Sequence, residues 1–232
     1  MSSSSARLRV PDPTDRSDLA TFVGRVVRLD PAAVVRLRAG GEGRVTAWAT
    51  TPFDVLATRS VPAALMPGDL TVPASALLTA LSVDRAETVD VGAAALWQGL
   101  LPPDEGWAAV EAVPAAELEA LADRGLALAR ENAGPLGPPA SLLDQTVLTV
   151  SAAGTSSEES GPERPVRVPL RCLFALSGMG FLSASDAAPD GAPDVVRVTA
   201  TASWLRLDAR YGAVVRRRVT ALPLLAAGTG VS

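Results

Sequence analysis

The side chains best suited to chemistry in this sequence are arginines and an aromatic ring near the C-terminal end. Six of them lie close together along the chain: Arg206, Arg210, Tyr211, Arg216, Arg217 and Arg218. Guanidinium groups bind phosphates, and aromatic rings stack on bases. These six residues are therefore the candidate contacts of a nucleic-acid-binding surface.

A β-hairpin is needed to position them. Residues 203–208 and 213–220 have the composition of strands, and residues 209–212 predict a tight turn between them. Because side chains alternate along a strand, Arg216 and Arg217 must face opposite sides of the sheet. The alternative interpretation is an ordinary solvated sheet face.

Two residue types are missing, and their absence excludes whole classes of mechanism. The chain has no His, and all 21 of its basic residues are Arg. Ser-His-Asp and Cys-His centres, imidazole metal sites, Schiff-base lysines and P-loop lysines therefore cannot be built from it. Cys172 is the single cysteine, which excludes a disulfide within the chain and predicts a small buried side chain. We expect no cofactor and no metal.

Two tryptophans bracket a proline-containing loop. Trp97 and Trp107 flank residues 98–106, which include Pro102 and Pro103. A rigid loop with aromatic ends suits contact with a partner protein, and Trp97 and Trp107 are the candidate contacts. The alternative is an ordered crossover that packs on the body of the protein.

Charge is distributed unevenly along the chain. Residues 1–60 carry nine Arg and six acids, residues 61–160 carry three and fourteen, and residues 161–232 carry nine and five. The three net charges, +3, −11 and +4, add up to the total of −4. Two interpretations stay open: an acidic middle surface, or a basic face built from both ends of the chain that meets an anionic partner.

The pattern of apolar residues predicts an α+β fold with antiparallel β-meanders and packed helices in two subdomains. Asp12 and Pro13 open a helix whose buried face has the spacing of Leu19 and Phe22, and residues 34–59 predict three consecutive strands. The motif Val-Pro-x-x-x-Leu occurs at 72–77, 113–118 and 168–173, each time before a predicted helix. The motif is compatible with a duplicated strand-to-helix unit, or simply with a common way to start a helix.

The predicted organisation has five parts: a disordered tail (1–11), an N-terminal α+β subdomain (12–131), a linker (132–141), a C-terminal α+β subdomain with the hairpin (142–225), and a tail (226–232). No apolar run approaches the roughly 20 residues of a membrane span, and no secretory signal is evident, so we expect a cytoplasmic protein without membrane contact.

Exclusion of the common catalytic groups favours a non-enzymatic interaction or regulatory protein with another protein as its partner. The first alternative is a nucleic-acid-binding protein that uses the arginine-rich hairpin. The second is a carboxylate- or cofactor-dependent enzyme. The sequence leaves the oligomeric state open.

Overall fold

A computed structural model of the chain describes residues 6–83, 88–90, 95–135, 139–151, 165–182 and 194–218. Its strands are β1 (Arg7–Arg9), β2 (Val34–Ala39), β3 (Arg44–Thr51), β4 (Val55–Pro62), β5 (Ala64–Met66), β6 (Asp69–Pro73), β7 (Thr88–Asp90), β8 (Ala108–Pro114), β9 (Thr146–Val150), β10 (Val166–Pro169), β11 (Val195–Ala200), β12 (Trp204–Ala209) and β13 (Gly212–Arg217). Its helices are α1 (Pro13–Leu29), α2 (Ala74–Val83), α3 (Ala115–Glu131), α4 (Ala140–Leu143) and α5 (Leu170–Gly178).

One large antiparallel sheet dominates the described structure. Its eight strands run in the order β6-β2-β3-β4-β13-β12-β11-β8, and two small sheets have the orders β5-β1-β7 and β10-β9. The α+β class is confirmed, and β2, β3 and β4 are neighbours in the predicted meander. Strands β4 and β13 join two four-stranded halves through the register pairs Thr58–Ala213, Ala57–Val214 and Leu56–Val215.

The helices cover one face of this sheet, and we call the opposite side the outer face. Helix α1 packs against α2, and α3 packs against α5. Asp12 caps α1 by accepting a bond from the Thr14 amide at 2.6 Å, and the helix buries the predicted Leu19 and Phe22. None of the helices in the described ranges is both long and apolar enough to cross a lipid bilayer.

The strand-to-helix step is repeated. Val72-Pro73, Val113-Pro114 and Val168-Pro169 end β6, β8 and β10, and the next residues begin α2, α3 and α5. Val10-Pro11 stands between β1 and α1 in the same way. Proline at a strand end removes a backbone donor that the ladder does not need and sets φ for the first helical turn. The same local chemistry therefore opens α2, α3 and α5, whereas α1 begins at Pro13 after the Asp12 cap.

Two segments differ from the sequence-based expectation. Residues 7–9 of the predicted tail form β1 between β5 and β7, because this pairing completely buries Leu8; one alternation over three residues is too short a signal to detect. Helical spacing predicts Leu128 on the same buried face as Leu118, but it is 41% exposed because Gly125 and Ala129 occupy the contact with the body instead. Residues 1–5 and 226–232 lie outside the described residues.

The predicted division near residues 132–141 stays a prediction. Part of that stretch, residues 136–138, lies outside the described residues, and Ala140 begins α4. Strands from both sides of the predicted linker belong to the eight-stranded sheet.

Two helical glycines give a matched test of the packing. A Cβ at Gly125 in α3 would lie 2.3 Å from Leu170 Cδ1 of α5, whereas one at Gly24 in α1 would lie 3.8 Å from Leu78 Cδ1. We expect Gly125→Ala to destabilise the protein by about 1–3 kcal/mol through overpacking, and Gly24→Ala to be neutral or stabilising by up to about 1 kcal/mol. Urea unfolding of both variants checks this, and equal effects would contradict the close α3–α5 contact.

Candidate functional site

The outer face of the sheet carries aromatic, hydroxyl and charged side chains at the join between its halves. Thr46 and Trp48 of β3 lie opposite Ser60 and Thr58 of β4. Across the join, Thr58 lies opposite Ala213 of β13, which in turn lies opposite Asp208 of β12. Opposite residues point to the same side of a sheet, so these side chains form one continuous surface.

A connecting segment, residues 95–107, crosses this surface, and we call it the crossover. The Ala95 amide donates to Thr71 O at 2.7 Å, which ties the crossover to β6. Trp97 Nε1 donates to Gly99 O at 3.1 Å, and Trp107 Nε1 donates to Pro103 O at 3.0 Å. Both indoles therefore stabilise the backbone conformation of the crossover by hydrogen bonds within it.

Apolar contacts fix the crossover to the outer face. Trp48, Trp204 and Val215 form a buried cluster on the sheet, and Leu56, Trp97, Leu101 and Trp107 pack against it. The interpretation of Trp97 and Trp107 as ends of an ordered crossover thus agrees with the geometry. Their role as partner contacts stays a prediction.

A cavity of about 260 Å³ lies between the crossover and the sheet, and we call it the crossover pocket. Its floor includes Trp48, Thr58 and Arg206, and its wall includes Pro103 and Trp107. Thr58 is only 3% exposed, and its Oγ1 has no hydrogen-bond partner. A buried hydroxyl without a partner costs free energy, so it marks a place where a bound group could bond.

Two exposed leucines lie in the crossover. Leu96 is 86% exposed and Leu100 is 67% exposed, on the part of the crossover that precedes the pocket wall. Together with the half-buried Trp97 and Leu101, they make the start of the crossover an apolar ridge. Large apolar side chains grouped on a surface are typical of interaction sites.

The structure spreads the predicted nucleic-acid contacts over different surroundings. Arg206 lies on the outer face and is paired with Asp208 at 2.6 Å, while Arg217 is exposed on that face opposite Trp204. Arg216 points to the helix side, where it pairs with Asp144 at 3.1 Å.

Three further predicted contacts lie at the ends of the hairpin. Arg218 Nη1 donates to Thr201 O at 2.8 Å. Arg210 lies over the Tyr211 ring at 5.4 Å from its centroid, and Tyr211 borders a small cleft next to α1. The structure therefore does not bring the six predicted side chains together.

Sequence reasoning missed Trp48 and Thr58, the centre of the site. Both lie in strands that were correctly predicted, and alternation alone would have placed them on one face. Their importance arises from the crossover above them, which local patterns do not reveal.

One arginine of β2 is fixed by an ion pair. Arg36 donates to both Asp69 oxygens, at 2.8 and 2.7 Å. The hydrogen bond from Arg36 lowers the pKa of Asp69, so the pair stabilises the fold at neutral pH and this contribution falls as the pH drops through the lowered value.

Cys172 offers no nucleophile in its present surroundings. It is completely buried in α5, and this burial raises the pKa of its thiol to about 12, although Arg216 and Arg171 act in the opposite direction. Within the described residues, no group of three or more His, Cys, Asp or Glu side chains could hold a metal ion.

The fold is that of the sliding clamps. Bacillus subtilis DNA polymerase sliding clamp matches with a TM-score of 0.58 at 14% identity over 95% of this chain and 66% of the clamp. Caulobacter crescentus beta sliding clamp, solved with bound polyethylene glycol, gives 0.56 at 17% identity over 94% of this chain and 66% of the clamp. The DNA polymerase sliding clamp of Pseudomonas aeruginosa matches with a TM-score of 0.52 at 14% identity, over 90% of this chain and 64% of the clamp. The chain thus spans just under two thirds of the length of these clamps.

By sequence, the chain belongs to the family described as a domain of unknown function (DUF8185), whose model matches residues 102–221. Residues 3–99 match a second model, also described as a domain of unknown function (DUF8010). The two matches meet within the crossover, so each contributes one four-stranded half of the large sheet. No protein with a curated description matches the chain.

Two buried threonines test whether the pocket carries an unsatisfied hydroxyl. Thr51 Oγ1 donates to Val55 O at 2.8 Å, whereas Thr58 Oγ1 has no partner. We expect Thr58→Val to be neutral or to stabilise the protein by up to about 1 kcal/mol, and Thr51→Val to destabilise it by about 1–2 kcal/mol. Thermal and urea unfolding measure both, and a large loss in Thr58→Val would show that its hydroxyl already has a structural role.

We expect thiol reagents to modify Cys172 slowly in the folded protein. At neutral pH the native protein should react with a disulfide reagent only as fast as it opens, because the thiol is buried and protonated. The rate should rise to that of a free cysteine when the protein is unfolded in urea. Fast modification of the folded protein at neutral pH would contradict the burial of α5.

Proposed function

We propose that the chain is a protein-interaction module that binds an extended segment of a partner protein along the crossover. The observation that carries this proposal is the crossover pocket with the unpartnered Thr58 hydroxyl in its floor. An apolar anchor of the partner lies on the exposed ridge of Leu96 and Leu100, and a polar group of the same segment bonds to Thr58. This function rests on the site and not on the names of the clamp structures.

The aromatic lining of the pocket favours an extended protein segment as its ligand. Trp107 is partly exposed in the pocket wall and offers rigid contact area at little conformational cost, because its indole is already held by packing against the cluster of the buried Trp48. The pocket opens to solvent at the edge of the crossover, so a chain can pass across it without being enclosed. Its small volume fits one or two side chains rather than a folded domain.

The helix side gives little support for binding nucleic acid. Helices α1, α2, α3 and α5 together carry equal numbers of basic and acidic residues: Arg16, Arg25, Arg28, Arg124, Arg130 and Arg171, against Asp15, Asp18, Glu117, Glu119, Asp123 and Glu131. A surface that follows a phosphate backbone needs an excess of cations. The helix side therefore does not favour nucleic acid, and the pocket on the outer face favours protein binding.

The test compares two pairs of exposed leucines. The probe is a displayed library of short random peptides, selected on the wild-type protein. We expect the selected peptides to bind at least about tenfold more weakly to Leu96→Ser/Leu100→Ser, a loss of about 1.4 kcal/mol or more. The matched control, Leu126→Ser/Leu128→Ser, removes two leucines of α3 that are 40% and 41% exposed, and should change affinity less than about twofold.

Thr58→Val gives a second readout. It should weaken binding of the same peptides while leaving stability unchanged or higher, which separates a ligand contact from a structural one. Equal binding to all variants, or an equal loss in both leucine pairs, would overturn the proposed site.

A further inference from the structure

The outer face is the basic face of the molecule, built from both ends of the chain. Six strand arginines point to it: Arg36, Arg38 and Arg44 from the N-terminal half, and Arg197, Arg206 and Arg217 from the C-terminal half. The strands place two carboxylates among them, Asp69 and Asp208. The strand residues of this face thus carry +4 (six minus two), in a chain whose net charge is −4.

These arginines surround the crossover pocket. Arg36 and Arg38 lie directly opposite Trp48 and Thr46 in the next strand. Arg44 Nη2 donates to Ser60 O at 2.8 Å on the same edge, and Arg197 lies opposite Asp208 on the other side. A segment that crosses the pocket therefore passes between two groups of cations.

Only part of this positive charge is neutralised within the molecule. Asp69 bonds to Arg36 and lies 3.8 Å from Arg38, and Asp208 pairs with Arg206. The crossover adds Asp104, which lines the pocket 3.9 Å from Arg38, and the exposed Glu105, so the strands and the crossover together carry +2 (six minus four). Among the residues that the structure describes, Arg44, Arg197 and Arg217 have no carboxylate partner, and all three are exposed.

We infer that the segment bound at the crossover pocket is acidic, with Asp or Glu on both sides of an apolar anchor. This inference rests on the proposed function and names the class of its partner. Two or three carboxylates of the segment would neutralise the three arginines that have no carboxylate partner. Its apolar anchor would pack on the apolar ridge at the start of the crossover. A nucleic acid fits less well, because the Trp48 and Trp204 rings are buried beneath the crossover and offer no platform for stacked bases.

The experiment sequences the peptides selected on the wild-type protein and compares their charge with that of the unselected library. The expected pool is rich in Asp and Glu next to Leu, Pro or aromatic residues. Its affinity should fall several-fold between about 50 and 500 mM salt. It should fall about three- to tenfold in Arg197→Gln/Arg217→Gln, whereas the matched helix-side pair Arg28→Gln/Arg124→Gln should change it less than twofold.

The outcomes separate the two proposals. If the selected peptides need Leu96 and Leu100 for binding but are not acidic, this inference is overturned and the proposed function stands. If the binding of the selected peptides needs neither leucine, both the inference and the proposed function are overturned. Labelled single-stranded and duplex DNA and RNA are measured in parallel. Tight, salt-sensitive binding of these probes that is lost in Arg197→Gln/Arg217→Gln would instead assign the face to nucleic acid.

Discussion

The join between β4 and β13 is the contact on which the rest of the molecule depends. Only three residue pairs link the two four-stranded halves along this seam. On the helix side, Arg171 and Arg216 hold it together: Arg171 bonds to Asp144 at 2.8 Å and to Phe53 O at 2.9 Å, and Arg216 reaches Asp144 and Asp54. Because Arg171 is 7% exposed, its charge is stable there only while these oxygens stay in place.

A second contact across the seam closes the helix layer. Arg25 of α1 donates to Met179 O and to Gly180 O at the end of α5. These carbonyls lie just after the last turn of α5, at the C-cap Met179 and the next residue. An arginine from one half thus fixes the segment that follows α5 in the other half.

Local sequence patterns were sufficient for much of the fold and for little of the site. The meander of β2 to β4 and the start of α1 at Asp12 follow from alternation, helical spacing and capping, which act over a few residues. The pocket depends on Thr58 meeting Ala213 across the seam and on Trp107 folding over both. Such long-range pairings depend on the whole chain, so local patterns could place the arginines in a hairpin but could not predict which side chains of other strands lie beside them.

The uneven charge along the chain takes on a physical meaning once the seam is known. The basic N-terminal and C-terminal regions are far apart in sequence, yet they belong to one sheet. The arginines of β2 and β3 therefore point to the same side of it as those of β11, β12 and β13. Because the halves are joined, their arginines lie on both sides of one pocket, and a positive field of this kind attracts and orients a negatively charged segment before it makes contact.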